Sequence, residues 1–196
     1  MVRRIVEVVK TSLDRRRFPW VSEGREPTEE EKAAAVLASA ALMAASRVGT
    51  SRRAESKEAQ ELLVEKALLN AGLNKVSVRT MPTLSHAPGP GEFCRESRLG
   101  PRKADLVIGL WDRRVIAIEC KVSNSAVNSV KRLNNDAAAK AETWLRDFGR
   151  IQVVPTAVLS GVYKLHNLTN AQERGLTLFW AHDLDVLVTW ITETRL

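Results

Sequence analysis

The sequence predicts an α/β fold: a small mixed β-sheet flanked by helices, behind an N-terminal helical extension. Three observations predict it. Before residue 72 the apolar residues recur with helical spacing. Beyond it the pattern changes to strand-like runs, ADLVIGLW, VIAIECKV, IQVVPTAVL and LTLFW. A long helical segment separates the second of these runs from the third, so helices and strands alternate as in layered α/β domains.

Each element follows from local signals. Residues 1–18 read as a short helix with Ile5, Val6, Val9 and Leu13 on one side, followed by Arg15, Arg16 and Arg17. Pro19, Gly24 and Pro27 break the pattern into a loop. Thr28 with Glu31 forms a capping-box signature for a helix over 28–48, which Gly49 is expected to stop. A basic patch of Arg47, Arg52 and Arg53 precedes a second helix over 54–71, with Leu62, Leu63, Ala67 and Leu69 as its expected buried side and Gly72 as its C-terminal cap. Val76 and Val78 suggest a strand, and HAPGPG at 86–91 a loop. The runs 104–111 and 115–122 read as a hairpin closed by Asp112, Arg113 and Arg114. A helix is predicted over 125–148, then a strand over 151–159 placed near an edge or bulge by Pro155. A strand over 176–180 and a final helix capped by Asp183 complete the chain. The expected division is an extension over 1–53 and a core over 54–196.

Composition narrows the functional classes. The 196 residues are 44% apolar, enough to bury a core, which excludes wholesale disorder. A net charge of +7 favours partners carrying phosphates. Two cysteines, Cys94 and Cys120, make neither a disulfide framework nor a zinc site. His86, His166 and His182 lack metal spacing, and Trp111, Trp144, Trp180 and Trp190 sit in apolar patterns that read as core. The run 33–45 is read as too short and alanine-rich to cross a bilayer, and Arg3 and Arg4 stand where a signal would be apolar. A cytoplasmic protein without a membrane partner is expected.

The chemistry-bearing residues are Glu119, Cys120 and Lys121, with Asp105 fourteen positions upstream. Side chains alternate along a strand, so Glu119 and Lys121 share a face, roughly 6–7 Å apart, and Cys120 points into the core. A hairpin closing at 112–114 brings Asp105 to the same edge. Two carboxylates held that close repel unless a cation lies between them. Mg²⁺ takes hard oxygen ligands of this kind.

Asp105, the fourteen-residue gap and Glu119-x-Lys121 after an apolar strand resemble the PD-(D/E)xK nuclease superfamily, over roughly residues 54–190. Ala104 stands where that motif often has proline. The resemblance implies Mg²⁺-dependent phosphodiester hydrolysis, with Asp105, Glu119 and the carbonyl of Cys120 binding metal and Lys121 positioning water. It also implies a glutamate from the preceding helix: Glu61 first, then Glu58, against a plain solvated face. Glu-Cys-Lys-Val-Ser-Asn-Ser and Arg-Lys-Ala-Asp-Leu-Val narrow the resemblance to type II restriction endonucleases of the XamI-like kind, and hence to site-specific cutting of double-stranded DNA by a homodimer. Ser123, Asn124, Asn128, Lys131, Arg132 and Asn135 follow the motif, and Arg102 and Lys103 precede it. Amides and cations of this kind suit DNA contacts, and a solvated helix face explains them equally well. Arg95 and Arg98, on a loop, are further phosphate candidates. A structure-specific or repair nuclease on the same fold, and a DNA-binding module without catalysis, are the competing readings.

Overall fold

The computed structural model describes residues 8, 10, 12–123 and 126–195. Most of the helix expected over 1–18 lies outside them. Contacts group the chain into two compact units, Met1–Arg53 and Ala54–Leu196.

Helix α1 is Pro19–Glu23 and α2 is Glu29–Asn70. The capping box at the start of α2 forms: Glu31 N–H donates to Thr28 Oγ1 (3.2 Å) and Thr28 N–H to Glu31 Oε2 (2.9 Å). Gly49 does not end the helix. Interior glycine costs only about 1 kcal/mol relative to alanine, so the two expected helices are one. Joined in this way, α2 is long and apolar enough by length and composition to cross a membrane, with a mean hydropathy of 1.4 over its most apolar window. That revises the reading of 33–45 as too short. Gly72, at φ 82, closes α2 as expected.

The expected buried side of α2 is corrected. Leu62, Leu63 and Leu69 are exposed, while Gln60, Glu61, Val64 and Leu68 are buried. The face is chosen by what the sheet offers, and the sheet takes in a carboxylate with the two apolar residues.

In the second unit the strands are β1 (Asn74–Lys75), β2 (Thr80–Met81), β3 (Glu92–Arg95), β4 (Arg98–Leu99), β5 (Arg102–Lys103), β6 (Leu106–Gly109), β7 (Val115–Ser123), β8 (Val153–Gly161) and β9 (Thr177–Trp180). The main sheet is six-stranded and mixed, in the order β1-β3-β6-β7-β8-β9, and β2-β4-β5 form a small second sheet. Val76 and Val78 fall between β1 and β2 rather than within a strand, and the segment read as a loop before Asp105 carries β3, β4 and β5. The hairpin β6–β7 forms as predicted, antiparallel.

Helix α3 (Ala126–Arg132), a π-helical turn (Leu133–Ala137) and α4 (Ala138–Phe148) make up the predicted long helix, with one widened turn in its middle. Strand β8 is interior, between β7 and β9, which corrects the edge placement. Its pairing with β9 begins at Thr156, so at Pro155 only β7 is alongside. Helices α5 (Leu165–Glu173) and α6 (Leu184–Thr192) close the fold. Asp183 precedes α6 without a side-chain capping bond, contrary to expectation.

Strand β7 is buried on both faces. Ile116, Ile118 and Cys120 pack with Val64 and Leu68 of α2 and Leu187 and Ile191 of α6. Val115 and Ala117 pack with Trp144 of α4 on the other side. Helices therefore cover both faces of the sheet.

Candidate active site

The register of β6 against β7, Leu106↔Ile118 and Val107↔Ala117, sets Asp105 across from Glu119. Asp105 N–H donates to the Ile118 carbonyl (3.0 Å). Beyond that bond the ladder ends, and Cys120 N–H donates instead to Asp105 Oδ2 (2.7 Å). The carboxylate is thereby locked to the strand that carries Glu119 and Lys121. The Cys120 side chain enters the core, as the alternation requires.

Glu119 is completely buried, and an ammonium holds each of its oxygens. Lys121 Nζ donates to Oε2 (2.7 Å), and Lys140 Nζ, from α4, donates to Oε1 (2.7 Å). Lys121 Nζ also donates to Asp136 Oδ2 (2.5 Å). Asp136 stands on the π-helical turn, a feature that tends to occur at functional sites. Burial pushes the Glu119 carboxyl above its ordinary range; Lys121 and Lys140 oppose this and Asp105 adds to it, leaving a net rise. For Lys121 burial disfavours the ammonium, but Glu119 and Asp136 outweigh it and the group is held charged.

On the α2 side, Lys57 Nζ lies 2.9 Å from Asp105 Oδ1, 3.0 Å from Glu61 Oε1 and 3.9 Å from Glu96 Oε1. Glu61, Glu96 and Asp105 each bring one oxygen within 4.8 Å of the others. Glu96 has a left-handed backbone, φ 50, rare for a side-chain-bearing residue, and its N–H donates to the Asp105 carbonyl (2.8 Å). Such strain is often found at functional sites. Hard oxygen donors already gathered around a cationic group suit an ion such as Mg²⁺. The residues present fit a divalent cation.

Of the expected site residues, Asp105, Glu61, Glu119 and Lys121 are brought to this end of the sheet. Glu119 stands apart from the three-acid gathering, engaged by its two lysines. Arg95 lies on β3, not a loop, and binds Glu58 (3.0 Å), Glu61 (2.9 Å) and Glu65 (3.1 Å), so it positions acids of α2. Ser123 is buried at the end of β7. Lys131 and Asn135 are exposed, and Arg132 donates to the Val122 carbonyl. Arg102 and Lys103 are exposed on β5, Lys103 paired with Glu96. Arg98 donates to the Pro101 carbonyl (3.3 Å). Asn124 and the side chain of Asn128 lie outside the described residues. Sequence reasoning missed Lys57, Glu96, Asp136 and Lys140. Lys57–Glu61 was legible as a four-residue helix pair, but its meeting with Asp105 was not.

The model of the XamI restriction endonuclease family matches residues 1–180. The chain belongs to the XamI restriction endonuclease family. A curated relative, the type II restriction enzyme XamI of Xanthomonas campestris pv. amaranthicola, is 48% identical over 158 residues, which is 81% of this chain and 58% of that protein. This XamI-family chain therefore spans less than two thirds of that relative's length. Among solved structures, protein VC1899 from Vibrio cholerae is similar at a TM-score of 0.44 and 18% identity, over 68% of this chain and 33% of that one.

Proposed function

We propose that this chain is a Mg²⁺-dependent endonuclease that hydrolyses double-stranded DNA at a specific sequence, with residues 54–196 as the nuclease core and 1–53 as a helical extension. We further propose that it acts in the cytoplasm, on DNA and not at a membrane, as a homodimer in which each site cuts one strand. The observation that carries the reading is the buried juxtaposition of Asp105, Glu119 and Lys121 at one end of the central strands in a member of the XamI family.

Asp105 is the acid common to both ligand sets: with Glu119 and the Cys120 carbonyl by family resemblance, and with Glu61 and Glu96 by proximity. An Mg²⁺ ion held by Asp105 with these groups would acidify a water and would stabilise negative charge on a phosphate. Lys121 orients the attacking water and offsets the developing negative charge. Lys140 and Asp136 hold the Glu119–Lys121 pair in place, so both groups keep one orientation as the substrate enters. Ser123, Asn124, Asn128, Lys131, Arg132 and Asn135, with Arg102 and Lys103, contribute the DNA-facing surface around the site.

Incubating plasmid DNA with the protein, with and without Mg²⁺, tests this. Discrete fragments that require Mg²⁺ are expected. A smear would indicate a sequence-independent nuclease, and intact DNA that is nevertheless bound would indicate a binding module.

A further inference from the structure

The small sheet β2-β4-β5 is anchored on one face and charged on the other. Met81 of β2 and Leu99 of β4 are buried and pack in the core with Trp144. Thr80 is the register partner of Arg98 in the β2–β4 pair, and Arg98 that of Lys103 in the β4–β5 pair. Directly paired residues share a face of a sheet, on strands roughly 5 Å apart. Thr80, Arg98 and Lys103 therefore emerge together on the exposed face. These three, with Arg79 and Glu96, line a groove of about 540 Å³.

The groove carries more positive charge than the chain neutralises. Like charges set directly opposite one another destabilise a strand pair, and Arg98 stands opposite Lys103. Glu96 pairs with Lys103. Among the described residues neither Arg79 nor Arg98 has a carboxylate partner. Arg98 Nη2 donates to the Pro101 carbonyl (3.3 Å), and Arg79 Nε to the Ser77 carbonyl (3.4 Å). Arg95 of β3, by contrast, is taken up by three glutamates. The backbone that carries the two guanidiniums is tied down: Arg79 N–H donates to Ser97 Oγ (3.1 Å) and Arg98 N–H to the Arg79 carbonyl (3.2 Å). Glu96 also belongs to the gathering with Glu61 and Asp105, so the groove adjoins the place that suits a cation.

We propose that this groove binds the sugar–phosphate backbone of the DNA beside the cleavage site, with Arg79 and Arg98 each holding a phosphate. The inference rests on the endonuclease reading above. The planar donor fork of a guanidinium matches the oxygens of a phosphate, and here two such forks stand on a fixed backbone without an acid to occupy them. The groove's one carboxylate is already offset by Lys103, so it does not repel a polyanion. Contacts of this kind set the position of the duplex and carry no sequence information.

The test is fluorescence anisotropy of labelled duplexes of several sequences, titrated with the full chain over a series of salt concentrations, with Ca²⁺ replacing Mg²⁺. Arg79→Gln and Arg98→Gln are each expected to reduce the slope of log affinity against log salt by about 1, and the double variant by about 2, equally for every duplex. Arg98→Lys keeps the charge and is expected to keep the slope. Arg150→Gln is the control: it removes an equal charge from an exposed residue before the start of β8, at the end of the sheet away from Lys121, and is expected to keep the parent's slope. Tm is expected to hold in all of them, since no ion pair is lost; should Arg79→Gln fail to fold, Arg98→Gln decides. The parent's slope in either folded glutamine variant overturns the proposal. So does an equal drop in Arg150→Gln, which would mark a diffuse effect of net charge. A parent that cuts plasmid while its groove variants bind as it does sinks the groove alone; a parent that binds no duplex sinks the endonuclease reading and the groove with it.

Discussion

At the scale of single residues, the site is a balance of charges in which single groups serve more than one partner. Lys121 neutralises buried Glu119 and binds Asp136 with the same ammonium. Lys121→Ala is expected to lower DNA cleavage about 10²–10⁴-fold while leaving DNA binding in place. Nicking of supercoiled plasmid and a gel-shift measured side by side check this; equal loss of both would mean that Lys121 serves the fold. Lys57 sits among the three acids that suit a cation. Lys57→Met is expected to bind Mn²⁺ about tenfold more tightly by calorimetry, since the ion no longer displaces a charged hydrogen-bonded group. Unchanged affinity would remove Lys57 from the metal's place. Tyr163, the one tyrosine in the chain, donates from Oη to the Lys121 carbonyl (2.8 Å), and burial pushes its phenol up to about 12. Its folded form is harder to ionise than the unfolded one. The stability this contributes is full below about pH 10 and is lost as the pH rises towards about 12. Absorbance at 295 nm should therefore show little tyrosinate at pH 10.5, and half-ionisation there would refute the burial.

At the scale of elements, close backbone approach decides more than propensity. Gly161 ends β8 at φ 100, and a Cβ there would lie 2.0 Å from the Ser123 carbonyl oxygen at the end of β7. Gly161→Ala is expected to destabilise the protein by roughly 1–3 kcal/mol, read as a lowered Tm in thermal denaturation. A variant as stable as the parent would mean that the two strand ends separate at little cost. The π-helical turn is the other decisive element. By widening one turn it carries Asp136 to Lys121, a placement that regular α-helix periodicity does not predict. Strand β8 shows the limit of a composition rule: Pro155 is tolerated in an interior strand because β9 pairs only from Thr156 onward.

At the scale of the whole molecule, the charge of +7 is the property most directly tied to a nucleic-acid partner. If six to ten phosphates are contacted, affinity for DNA should fall by about 10³–10⁵ between 50 and 200 mM salt. Fluorescence anisotropy of a labelled duplex across that range tests it, and a flat salt response would argue against a phosphate-tracking surface. The charge is what remains after 30 lysines and arginines are set against 23 acids, and three of those acids, Glu61, Glu119 and Asp105, are turned inward against lysines and an arginine.

By itself the sequence determined the α/β class, the hairpin, the capping box at Thr28 and the pairing of Asp105 with Glu119-x-Lys121. These follow from short-range rules: alternation along a strand, hairpin closure over a few residues and local capping bonds. Only the tertiary structure decided which face of α2 is buried, that β8 is interior, and that Lys57, Glu96, Asp136 and Lys140 meet the site. Those outcomes depend on contacts between residues far apart in the chain, such as Lys140 with Glu119 or Arg95 with Glu61, and on one widened helical turn. Periodicity within a segment says which residues share a face; the neighbour that face will meet is chosen by how the layers pack.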